Sequence, residues 1–146
     1  MERPNAWKGY DEADLEQLDK LAEGYIDFIS ECKTERACCD RAVKMAREAG
    51  YVSLEEAREA GRTLVSGDRV YAVNRGKNVI LVQLGREPLA NGLNILGAHI
   101  DSPRLDLKQN PVYESSDFVL LDTHYYGGIK KYQWVTIPLA IHGMVS

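Results

Sequence analysis

Along residues 11–32 the apolar positions Leu15, Leu18, Leu21, Ala22, Tyr25, Ile26 and Ile29 recur at spacings of three and four, with acidic residues between them. That is the period of one helix face, so the pattern predicts an amphipathic helix. Residues 34–49 predict a second helix. Thr34 can cap its start, Ala37, Val43, Met45 and Ala46 supply apolar surface, and Gly50 stands where a C-terminal cap takes glycine. Ser53 followed three residues later by Glu56 is a capping-box signature and predicts a further short helix.

After Gly67 the period changes to that of strands. Residues 69–74 (RVYAVN) and 79–84 (VILVQL), separated by Arg75-Gly76-Lys77, predict a β-hairpin. Residues 94–100 (NILGAHI) are mostly apolar and predict a third strand, central in a covered sheet. Helices first and buried strands afterwards indicate an α/β layered fold. Past Pro103 the character shifts. Residues 104–108 alternate charge with leucine, residues 118–122 and 135–146 predict strands, and Tyr125-Tyr126-Gly127-Gly128 reads as a turn between them. This predicts two parts, 1–103 and a β-rich 104–146. The second part stops in a strand-like run without a polar ending, as a truncated unit would.

Composition narrows the function classes. With 146 residues, 45% hydrophobic and 27% charged, the chain is globular in character. A net charge of -4 and no basic run exclude nucleic acid as the expected partner. No apolar stretch approaches the roughly 20 residues of a membrane span, and the polar N-terminus has no secretory core, so a cytoplasmic location is expected. The three cysteines, Cys32, Cys38 and Cys39, read as reduced thiols on a half-buried helix. As a metal site they fail, because neighbouring helix residues point about 100° apart.

Candidate chemistry concentrates in Gly97-Ala98-His99-Ile100-Asp101-Ser102-Pro103. In a strand, residues i and i+2 share a face, so His99 and Asp101 project together. They lie at the carboxyl end of the predicted central strand, where open α/β sheets place their sites. A carboxylate there can accept the hydrogen bond of the ring nitrogen that does not bind metal, fixing the tautomer and raising ligand basicity. Ser102-Pro103 then turns the chain away. The spacing fits a metal ligand with its supporting acid, and it also fits a strand-end histidine bonded to an acid in a turn. His124 and His142 read as hydrogen-bonded strand residues. Gly127-Gly128 reads as a turn, since no phosphate-loop pattern follows. Lys130 and Lys131, beside Tyr132 and Trp134, suit a surface or subunit contact. A metal-free serine hydrolase is disfavoured, because Ser102 lies in no G-x-S-x-G elbow.

The string at residues 97–108, GAHIDSPRLDLK, closely resembles the GAH-x-DSP-x-L-x-x-K element of the M18 metallopeptidases, the aspartyl aminopeptidase family. Residues 123–134, THYYGGIKKYQW, resemble that family's later Tyr-Gly-Gly element in a bacterial form, and residues 71–85 are similar to its paired strands ahead of the histidine. The resemblance implies an α/β/α zinc-peptidase domain, begun by residues 1–103, interrupted by a β-rich assembly domain begun by residues 104–146. It implies a zinc-dependent aminopeptidase that removes N-terminal residues from peptides, with two Zn2+ in a complete active site and a large homo-oligomeric assembly. Matched position by position, His99 takes the place of the first histidine metal ligand, and Asp101 that of the catalytic acid that orients it. The family's other ligands and its glutamate base fall beyond residue 146, so the chain alone is expected to be inactive. The alternative is a non-catalytic remnant that keeps an assembly surface.

Overall fold

A computed structural model describes residues 3–145. The chain separates into two units, Met1–Ala98 and His99–Ser146.

In the first unit, α1 (Glu12–Glu31) starts at Asp11, whose carboxylate accepts from the Asp14 N–H at 2.9 Å. Asp14 returns the bond to the Asp11 N–H at 3.2 Å. The acidic start of the chain therefore serves as a reciprocal cap, satisfying donors that a helix end leaves open. Thr34 caps α2 (Glu35–Glu48) by accepting from the Ala37 N–H at 3.2 Å, and Gly50 follows the helix at φ 84°. The two-residue strand β1 (Val52–Ser53) leads directly into α3 (Leu54–Glu59), capped by Ser53. Then β2 (Arg69–Asn74) and β3 (Asn78–Gln83) pair antiparallel as the predicted hairpin, its turn carrying Arg75 and Gly76 at φ 52° and 64°.

β1 pairs with β2 in parallel, so β2 is central in a three-stranded sheet of order β1-β2-β3. Burial follows from that position. Val70 and Tyr71 of β2, Cys38, Cys39 and Ala46 of α2, Ala57 of α3 and Cys32 form the core, with Cys39 wholly enclosed. Two arginines of α2 fasten the helix to the hairpin: Arg47 Nε donates to the Tyr71 hydroxyl at 2.7 Å, and Arg36 Nη1 to the Arg75 carbonyl in the turn at 3.1 Å.

Residues 94–100 do not form the predicted strand. They run without a ladder partner, and Ile95 and Leu96 are 81% and 100% exposed. Strand hydrogen bonds are made to neighbours, and an apolar run becomes a central strand only when strands flank it and helices cover it. Among the described residues nothing pairs with this segment.

The second unit is built on a long antiparallel ribbon of β4 (Arg104–Ser115) and β5 (Phe118–Tyr126). Ser116 and Asp117, at φ 54° and 63°, make the two-residue turn between them, in the left-handed backbone region that matches such a turn to the right-handed twist of its strands. The register slips between Leu107 and Val112. Pro111 lies inside that interval, lacks an N–H and restrains the residue before it, which accounts for the irregularity. The predicted strand at 118–122 lies within β5. The one predicted at 135–146 does not form: the short helix α4 (Lys131–Trp134) is followed by a turn and an unpaired segment, and Ser146 lies outside the described residues. As at 94–100, apolar character alone provides no ladder partner. Among the described residues no helix is long and apolar enough to cross a membrane.

Candidate metal centre

The site begins with three residues of irregular chain ahead of β4. His99 and Asp101 are two apart, and their side chains meet: His99 Nδ1 lies 3.1 Å from Asp101 Oδ1. The same nitrogen lies 3.1 Å from the Asp101 main-chain carbonyl oxygen. Both partners of Nδ1 are acceptors, so the neutral tautomer that satisfies them has its proton on Nδ1 and its lone pair on Nε2. The pairing expected from the spacing is therefore present, although it forms at a chain segment without sheet partners. The imidazole side chain is 85% exposed, so the Asp101 contacts, not packing, orient it.

Asp101 is held from its other side. The Tyr126 hydroxyl donates to Asp101 Oδ2 at 2.7 Å. This bond, followed by the residue's own main-chain amide and the His99 hydrogen bond, holds the Asp101 carboxyl below its ordinary pKa. The carboxylate is thus fully ionised at neutral pH, the state in which it best supports an imidazole ligand.

Tyr126 is where it is because it ends β5, directly across the ladder from Arg104. The Arg104 guanidinium lies 4.0 Å from the Tyr126 ring centroid, a cation–π distance, and its Nε donates to Asp106 Oδ1 at 2.7 Å. Gly127, at φ 76°, then turns the chain against Pro103, the residue that ends the histidine segment. Farther along the ribbon, Lys108 of the same sequence element pairs with Asp122 at 3.0 Å.

His99 and Asp101 fit one ligand position for a divalent zinc: an imidazole whose Nδ1 is engaged by a carboxylate, with Nε2 left as the donor atom. Among the described residues no group of three or more His, Cys, Asp or Glu converges on a common point. A hydrolytic zinc centre takes about three protein ligands. The remaining candidates stay apart from the pair. His124 sits in β5 opposite Asp106 and stacks on Tyr125, with ring centroids 5.4 Å apart. His142 lies in the unpaired segment after α4. Lys131 stands over the Tyr125 ring at 4.3 Å, and Gly127 makes a turn. Cys32, Cys38 and Cys39 are buried thiols in the core of the first unit. Tyr126 was not among the residues expected in the site. Its signal was visible as Tyr125-Tyr126-Gly127-Gly128, but spacing along the chain cannot tell a turn tyrosine from one that returns to a carboxylate 25 residues earlier.

Comparison with known proteins places this geometry in context. Residues 28–146 match the family model described as aminopeptidase I zinc metalloprotease (M18). A protein of Clostridium acetobutylicum named probable M18 family aminopeptidase 1 is 56% identical over 144 residues, covering 99% of this chain and 31% of its own length. The crystal structure of aminopeptidase I from Borrelia burgdorferi superposes with a TM-score of 0.82 at 37% identity, over 92% of this chain and 32% of that one. The M18 aminopeptidase structure from Thermotoga maritima gives 0.79 at 41% identity, over 94% of this chain and 29% of that one. The chain spans about a third of the length of the curated relatives it matches.

Proposed function

The chain belongs to the M18 family, and on that premise we propose that it is the amino-terminal part of a zinc-dependent aminopeptidase in which His99 is a metal ligand and Asp101 the acid that orients it. The observation that carries this reading is the 3.1 Å contact between His99 Nδ1 and Asp101 Oδ1, inside the GAHIDSP element of the region matched by the family. A tethered Nδ1 leaves Nε2 as the ligand atom, the arrangement that imidazole–metal sites rely on.

On this reading residues 1–103 open the peptidase domain, and residues 104–146 begin a β-rich assembly domain. The substrates are peptides with a free N-terminus, the complete protein is a cytoplasmic homo-oligomer, and two zinc ions occupy a complete site. Bound zinc supplies Lewis acidity, lowering the pKa of water and polarising a peptide carbonyl. Within this chain, Asp101 would fix the ring orientation and tautomer by accepting from Nδ1, and His99 would present Nε2 to the ion. On the family pattern the other ligands and the general base fall outside these 146 residues, and this chain by itself is expected not to hydrolyse peptides.

The test is zinc binding by the longest available form of the protein, comparing the parent with His99→Ala. Loss of bound zinc in the variant is expected. Full retention would remove His99 from the centre and leave only family likeness. A non-catalytic chain that keeps an assembly surface is the second reading. It draws on the apolar residues Val112, Phe118 and Val119, which the ribbon leaves exposed. A protein that assembles with partner subunits yet never binds zinc would favour it.

A further inference from the structure

A carboxylate that must orient an imidazole has to be oriented itself. The χ2 torsion of aspartate is broad and roughly two-fold, and a contact to a largely exposed imidazole by itself holds the carboxylate weakly. The structure supplies the missing anchor on the opposite oxygen. Resting on the metal reading above, we propose that Tyr126 is a positioning residue for the centre: its O–H clamps Asp101 Oδ2, which holds Oδ1 against His99 Nδ1 and fixes the ring before metal arrives.

The geometry that supports this is continuous. Tyr126 donates at 2.7 Å, Asp101 accepts on both oxygens, and His99 Nδ1 completes the line at 3.1 Å. The tyrosine is built in at a defined height, because it is the last residue of β5 and pairs with Arg104. Its ring is covered by the Arg104 guanidinium at 4.0 Å, and that guanidinium is in turn held by Asp106 at 2.7 Å. A tyrosine suits the position for an electrostatic reason. Its phenol is a neutral donor, so it directs the carboxylate without cancelling the negative charge that raises the basicity of the imidazole. A lysine or arginine donating at Oδ2 would weaken that charge at the histidine.

The experiment uses the longest available form of the protein with four variants: Tyr126→Phe, Asp101→Asn, the two combined, and His99→Ala. Zinc affinity is read by competition with a chromophoric chelator. The His99 tautomer is read by 15N NMR of the zinc-free protein. Phenylalanine keeps the ring and the arginine stacking and removes only the donor, so melting temperature should be close to the parent's. Tyr126→Phe should weaken zinc about tenfold, in the range known for residues that support a ligand. It should also shift the His99 ring from one tautomer to a mixture. The double variant should bind no worse than Asp101→Asn, because the proposed effect of the Tyr126 hydroxyl on the metal runs through the Asp101 carboxylate. Unchanged affinity and tautomer in Tyr126→Phe, or losses that multiply in the double variant, would overturn the proposal. His99→Ala separates the two levels: if it retains zinc, the metal reading fails, and the tautomer in Tyr126→Phe still decides whether the tyrosine positions the ring.

Discussion

Replacing Asp101 by alanine tests the logic of the centre most directly, because the structure bounds the effect from both sides. The His99 ring is 85% exposed, so with the carboxylate gone no packing restores its orientation. An imidazole free to sample three staggered χ1 wells and a two-fold χ2 has about six orientations, so the right one is populated roughly sixfold less. Loss of the carboxylate's support for ligand basicity adds to this, and supporting residues of metal sites are generally worth about 10–100-fold in affinity. The upper part of that range is not expected here. The main-chain carbonyl of residue 101 also accepts from Nδ1, at 3.1 Å, and survives the substitution. Asp101→Ala should therefore weaken zinc by about tenfold, with His99→Ala losing far more. The assay is chelator competition on the longest form of the protein, with circular dichroism to confirm equal folding. Parent-like affinity in Asp101→Ala would show that the carboxylate does not orient the ring. A loss as large as that of His99→Ala would make Asp101 a ligand in its own right. Either result refutes the reasoning.

The purified 146-residue chain, supplied with zinc, should release no residues from peptides or amino-acid arylamides, and measurable zinc-dependent release would contradict the proposed division of the site. Burial pushes the Cys32 and Cys39 thiols up from their ordinary value, with the neighbouring Cys38 thiol raising Cys32 further and Asp40 raising Cys39. Their alkylation at pH 7 should be slower in the folded protein than in urea, as followed by mass spectrometry. The unfolded chain loses these protons first, so stability should hold below about pH 8.5 and fall as pH rises beyond it; equal rates folded and unfolded would argue against the burial. Val70, on the central strand and 3% exposed, loses two methyl groups in Val70→Ala. At about 0.8 kcal/mol per buried methylene plus a cavity contribution, the cost is about 2 kcal/mol in urea denaturation of the chain. An effect below about 0.5 kcal/mol would place Val70 outside the core.

Asp11, Thr34 and Ser53 cap three helices through bonds to residues three positions on, and the hairpin of 69–83 closes over a three-residue turn. His99 and Asp101 meet across one intervening residue. All of these could be read from residue order, because each depends on groups that backbone geometry brings together within a turn or a strand repeat. The sequence by itself also carried the family, in the GAHIDSP and Tyr-Gly-Gly elements. What it did not contain was the partner of each longer reach. The apolar runs at 94–100 and 135–146 read as strands, yet a strand exists only through the ladder it joins, and none of the described residues offers one. The Tyr126 hydroxyl reaches Asp101 only because β4 and β5 pair in the register that sets Arg104 opposite Tyr126. Local hydrogen bonds are dictated by spacing, whereas register and coverage arise only when distant segments compete for the same unpaired groups. That is why the contact between His99 and Asp101 could be read from the sequence, and the bond from Tyr126 required the tertiary structure.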